Sequence, residues 1–166
     1  MENQPVNDNQ PNTENRIEKR IEIKAPIARV WRALTDYREF GEWFRVALEG
    51  PFVPGQVVRG RILHPGYEHI VWEALIEKME PEQLFSFSWA QVRRHDKEHY
   101  SPDYSQAPRT LVEFQLQKTA AGTLLLLTES GFERVPAEWR ADTLRRNDGG
   151  WTQQMQNIER YVAEKS

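Results

Sequence analysis

Cysteine is missing altogether from this chain of 166 residues. That absence removes a disulfide framework, cysteine-ligated zinc, iron–sulfur clusters and thiol catalysis together, without fixing the compartment. Hard redox chemistry would need a borrowed cofactor, and the fingerprints for one are lacking as well. No G-x-G-x-x-G follows a strand pattern and no P-loop lysine follows a glycine-rich turn, so neither NAD nor ATP is expected, and no cofactor is assigned. No charge of one sign dominates either. The 22 basic and 25 acidic residues leave −3 with histidine neutral, which supplies no broad footprint for DNA, RNA or an anionic membrane. Nothing reaches the roughly 18 consecutive apolar residues of a membrane span. The N-terminus also lacks the basic and apolar regions of a signal peptide. A soluble, cytoplasmic protein without membrane insertion is expected, and at about 100–200 residues per domain the length predicts one domain.

What the chain does have is aromatic residues: 6 Trp, 5 Tyr and 7 Phe within a hydrophobic fraction of 39%. Large rings must therefore do much of the burying. A ring-rich interior can close completely, or it can enclose a cavity for an apolar ligand, and composition does not decide which.

Residues 1–15 are dominated by Asn, Gln and Pro, with little to bury, and read as a disordered polar tail. Residues 16–166 then read as a single domain. From Arg16 the pattern changes: Ile17, Ile21 and Ile23 alternate with charged residues, the period-2 signature of a half-buried strand. Pro26 stops that strand, and Ile27, Val30, Trp31 and Leu34 then recur at helical spacing, with the proline in the first turn. Asp36 is placed to cap a second short helix ending near Phe44, although Gly41 inside it is a poor helix former. Strands are predicted over 56–63, 69–79, 84–90, 109–118 and 123–131, between turns marked by Gly and Pro. Segment 91–108 is polar and proline-interrupted, and reads as a long connection able to cover an opening. After Pro136 the residues Leu144, Trp151, Met155, Ile158 and Val162 fall on one helical stripe. Gly149-Gly150 within that helix costs roughly 1 kcal/mol per glycine relative to alanine, and calls for a reason such as close approach to a strand or a ligand.

Strand, two short helices, about six to seven strands and a long C-terminal helix make an α+β fold. The stretches IEKRIEIKAPIARVWRALTDYREFGEWF, PFVPGQVVRG, EKMEPEQLFSFSW, GTLLLLTESGF and NDGGWTQQMQNIERYV follow one another in an order that resembles the START-like, helix-grip (SRPBCC) superfamily. Within it, the branch related to the activator of heat-shock protein 90 ATPase is most similar. The resemblance implies a curved antiparallel sheet gripping the long helix, with a deep apolar cavity between them. It also implies three roles to choose among: lipid or polyketide-like ligand binding, cyclase or hydrolase chemistry on such ligands, and chaperone activation. Fold alone does not choose.

On this reading Trp72, Phe85, Phe87, Trp89 and Phe114 on the strands face Trp151 and Met155 on the helix, and line the cavity unless they simply pack as core. Trp43 and Phe44 follow the short helices at what the resemblance implies is the entrance. Of the polar strand residues Arg59, Arg61, His64, Glu73 and Glu129, the last stands out because it interrupts the apolar run LLLLTES. A buried Glu129 could donate to a ligand carbonyl or act as a general acid, with Arg61 or His64 as partner; beside Arg61 it would merely pair. His95, Glu98 and His99 match the H-x-x-E-H string of inverted zinc peptidases. Their polar, proline-flanked setting lacks the apolar back face such a helix needs, so they read as a solvated connection and no metal is assigned. Ser86 and Ser130 lack a nucleophile elbow. The favoured reading is a binding protein for a small apolar or amphipathic ligand, uncharged or weakly anionic. The alternatives are a protein-interaction module and a cyclase or hydrolase using Glu129. Exposed edge strands leave both monomer and dimer open.

Overall fold

The computed structural model describes residues 15–91 and 106–165. All but Asn15 of the predicted tail, and residues 92–105 of the predicted 91–108 connection with its His95–His99 string, lie outside the described residues. The chain runs β1 (Arg16–Ile23), α1 (Ile27–Thr35), α2 (Tyr37–Phe44), β2 (Val46–Leu48), β3 (Val57–Ile62), β4 (Val71–Glu80), β5 (Leu84–Ala90), β6 (Arg109–Lys118), β7 (Thr123–Ser130), a 3-10 turn and α3 (Ala137–Glu164). All seven strands form one antiparallel sheet in the order β1-β7-β6-β5-β4-β3-β2. The sheet is curved, and α3 lies in its concave face, the α+β helix-grip arrangement.

Local chemistry explains the connections. Asp36 accepts from the backbone N–H groups of Arg38 and Glu39 at 2.9 and 3.2 Å, capping α2. Gly41 is required because a Cβ there would stand 2.5 Å from the Val46 carbonyl oxygen, where the chain doubles back into β2. The strand β2 is an addition to the elements expected from sequence; its three residues, VAL, are too few to display a period. Pro26 and Pro136 sit at the N-cap positions of α1 and α3, one residue earlier than the first turn.

The core lies between the sheet and α3. Phe85 and Phe87 of β5, Val112 and Phe114 of β6, and Leu125 and Leu127 of β7 alternate inward and meet Trp151, Met155, Ile158 and Val162 of α3. Leu144, expected on that stripe, is only half-buried, and Thr143 takes the inward place with its hydroxyl donating to the Trp139 carbonyl at 2.9 Å. The lower end of the helix is tied to α1 and α2: Arg29 bonds Glu39 at 2.9 Å and the Lys165 carbonyl, with its guanidinium 5.5 Å from the Tyr161 ring.

Candidate functional site

Period-2 alternation on β7 buries Thr123, Leu125 and Leu127, and the next inward position is Glu129. The register therefore forces a carboxyl group into the interior, where it is 0% exposed. Strands β5 and β6, Gln91 just beyond β5, and the helix α3 converge on it. Oε2 accepts from the Trp89 indole N–H at 2.7 Å and from the Thr110 hydroxyl at 2.7 Å. Oε1 accepts from the Trp151 indole N–H at 2.8 Å. The Asn147 amide donates to both oxygens at 3.3 Å, and that of Gln91 reaches Oε2 at 3.4 Å while also donating to Thr110 at 2.9 Å. Every group in this shell donates to the carboxyl group. Such charge-assisted bonds offset the cost of burying a carboxylate. No lysine or arginine forms an ion pair with it among the described residues.

The arrangement fixes two rings. Trp89 and Trp151 stack with centroids 5.7 Å apart and planes 30° from each other. Both line a groove of about 610 Å³ between α3 and the end of the sheet where β3 and β4 are joined, within the roughly 300–1,000 Å³ range of small-molecule sites. Phe44, Ile62, Tyr67 and Ile70 complete the apolar surface. Along α3 the wall is Arg146, Asn147, Gly150, Gln153, Gln154, Asn157 and Arg160; Arg45 and His64 border the opposite side. Gln154 and Asn157 hold the wall to α2, donating to the carbonyls of Phe44 and Trp43 at 3.2 and 3.3 Å.

Of the ring residues expected to line a cavity, only Phe44, Trp89 and Trp151 border this groove. Trp43, Trp72, Phe85, Phe87, Phe114 and Met155 are buried among other side chains. Phe85, Phe87 and Phe114 contact one another at 5.7–6.4 Å between centroids. Among the described residues, rings thus fill the space between β5, β6 and α3, and the groove lies to one end of them.

The proposed acid and its partners are not brought together. Glu129 is sealed beneath the two indoles, Arg61 is exposed on the outer side of β3, and His64 stands at the groove mouth with its ring 5.6 Å from that of Tyr67. Arg59 and Glu73 pair with each other at 2.6 Å. Among the described residues there is no cluster of His, Asp and Glu able to hold a metal ion, and no helix is long and apolar enough to cross a membrane. Sequence reasoning missed Gln91, Thr110 and Asn147 around the carboxylate, and Arg45 and Arg160 at the groove. Asn147 and Trp151 stand one helical turn apart, the one pairing a sequence could have offered.

The family pattern described as Activator of Hsp90 ATPase homolog 1-like protein matches residues 24–163. No curated protein matches the chain. Among solved structures, protein MLL2253 from Mesorhizobium loti is 22% identical, covering 91% of this chain and 98% of its own, with a TM-score of 0.67. DynU16, from the dynemicin biosynthetic locus, is 22% identical with a TM-score of 0.67, covering 90% of this chain and 47% of its own. The Aha1 dimer from Colwellia psychrerythraea is 17% identical, covering 89% and 95%, with a TM-score of 0.65. At these identities the likeness is one of fold.

Proposed function

Because the chain belongs to the Activator of Hsp90 ATPase homolog 1-like family, whose fold supports ligand binding without specifying the ligand, we propose that this protein binds a small amphipathic molecule in the groove over Trp89 and Trp151. The observation that carries the reading is an apolar floor held open by polar bonding from behind. The two indoles that line the groove have their N–H groups already bonded to Glu129, so what they offer a ligand is apolar ring surface. Each ligand methylene buried there contributes roughly 0.8 kcal/mol before ordering costs.

Gly150 fits the same reading. It lines the groove, and a Cβ built on it meets nothing within 4 Å among the described residues, so close packing against a strand is not what keeps it glycine. Native mass spectrometry of the purified full chain, followed by organic extraction, tests the proposal. The expected result is a reproducible added mass that is lost in Gly150→Leu, a variant that fills the groove from an exposed helix position. An adduct that persists unchanged in that variant counts against the groove.

A second reading, a protein-interaction module, draws on the family name and on the exposed Val53, Val57, Leu63 and Tyr67 around β3. A pull-down from cell extract that recovers no stoichiometric partner removes it.

A further inference from the structure

The groove has a charge sign that the chain as a whole does not. The protein carries −3 overall with 25 acidic residues, yet among the described residues no Asp or Glu lines the groove, while Arg45 and Arg160 do. Arg45 and Arg160 have no ion-pair partner among the described residues, whereas Arg29, Arg32 and Arg59 are each paired with a glutamate at 2.6–2.9 Å. Arg160 lies one turn beyond Asn157 on α3, and Asn157 is bonded to the carbonyl of Trp43, two residues before Arg45. Both arginines line the groove, Arg45 from the end of α2 and Arg160 from α3.

Arg45 is also held in an unusual conformation. It ends α2 with φ 67° and ψ 55°, its N–H bonded to the Gly41 carbonyl at 2.9 Å. This left-handed C-terminal position favours glycine, because a Cβ crowds the following carbonyl. An arginine there gives up local stability to bring a cation to the groove.

Resting on the groove reading above, we infer that the occupant is an amphipathic organic acid. Its apolar body lies over Trp89 and Trp151, and its anionic group is met by the groove-lining arginines Arg45 and Arg160. The cation class is disfavoured by the same residues, and an uncharged amphiphile gains only from the floor.

Three probes of one chain length separate these contributions: decanoate, decanol and decyltrimethylammonium, each below its micelle concentration, titrated against the full chain with tryptophan emission and native mass spectrometry as readouts. Decanoate is expected to bind about fivefold or more tightly than decanol, the size of two exposed ion pairs, with the preference shrinking as salt is raised and decyltrimethylammonium weakest. In Arg45→Gly/Arg160→Gln the preference should vanish while decanol binding stays. The melting temperature should not fall, since glycine relieves the strained position. Equal affinity for decanoate and decanol, or a preference that survives the double variant, overturns the anionic-head inference and leaves the groove reading standing. If none of the three probes changes the emission or adds mass, both fall together.

Discussion

The two ends of the interior are built from the same residue types and behave differently. At the closed end Phe40, Phe52, Phe85, Phe87 and Phe114 are buried and meet edge to face, tilted or, for Phe85 and Phe114, stacked, and none of them lines the groove. At the other end Trp89 and Trp151 are fixed by hydrogen bonds to one carboxyl group and leave a groove beside them. Apolar rings alone fill whatever space collapse leaves, because dispersion and burial are non-directional. Rings with a polar edge can be oriented by a buried acceptor. The comparison teaches that an aromatic interior keeps an opening where its rings are anchored from behind.

The sharpest way to break this comparison is at the closed end. Phe85→Ala is expected to cost about 3–5 kcal/mol in urea unfolding, with the emission of the surviving native fraction little changed, because among the described residues its ring meets Phe52, Phe87 and Phe114 and no tryptophan ring. The next is Glu129→Gln, which turns one acceptor into a donor facing indole and amide N–H groups. It is expected to cost about 1–3 kcal/mol and, unlike Phe85→Ala, to shift native tryptophan emission and weaken any groove ligand. A stability loss with no spectral change would mean that the carboxyl group does not orient the rings.

Trp72 supplies an internal control. Its indole N–H is buried with no hydrogen-bond partner among the described residues, whereas Trp43 donates to the Ala33 carbonyl at 2.8 Å. Trp72→Phe removes the orphan donor while opening a small void, so its net cost should be no more than about 1 kcal/mol. Trp89→Phe should cost more, because it leaves Glu129 short of a donor. The smallest expected effect lies outside both ends. Burial, and next the hydrogen bond to Glu39, raise the pKa of Tyr161. The folded protein then holds that proton more tightly than the unfolded chain, so this contribution is intact below about pH 10 and is lost as pH rises beyond it. Tyr161→Phe should flatten the alkaline limb of a melting-temperature profile and leave the neutral region alone.

The architecture was legible where pattern and length were both sufficient. Strands β5 and β6 have the bounds predicted for them, since their alternation is clean over 84–90 and 109–118. The cap at Asp36 marked α2 despite Gly41, whose reason is a contact with Val46 that no local pattern encodes. Glu129 was visible as a charge in an apolar run. Its donors were not, because they arrive from β5, β6 and α3 and meet only through the register. Arg45 and Arg160 were hidden for the opposite reason: a surface arginine looks like any solvated cation until a concavity is built around it.

The pairing of β1 with β7 has a consequence in time. Arg16 lies opposite Ser130, a separation of 130 − 16 = 114 residues. At about 5–20 residues per second of synthesis, the first strand waits on the order of ten seconds for its partner to emerge. During that interval Ile17, Ile21 and Ile23 have no β7 to join, and the charged residues at 18, 19, 20 and 22 between them are of the kind that disfavours edge pairing with a neighbouring chain. The polar half of β1 thus serves the ribosome-bound chain before it serves the folded one.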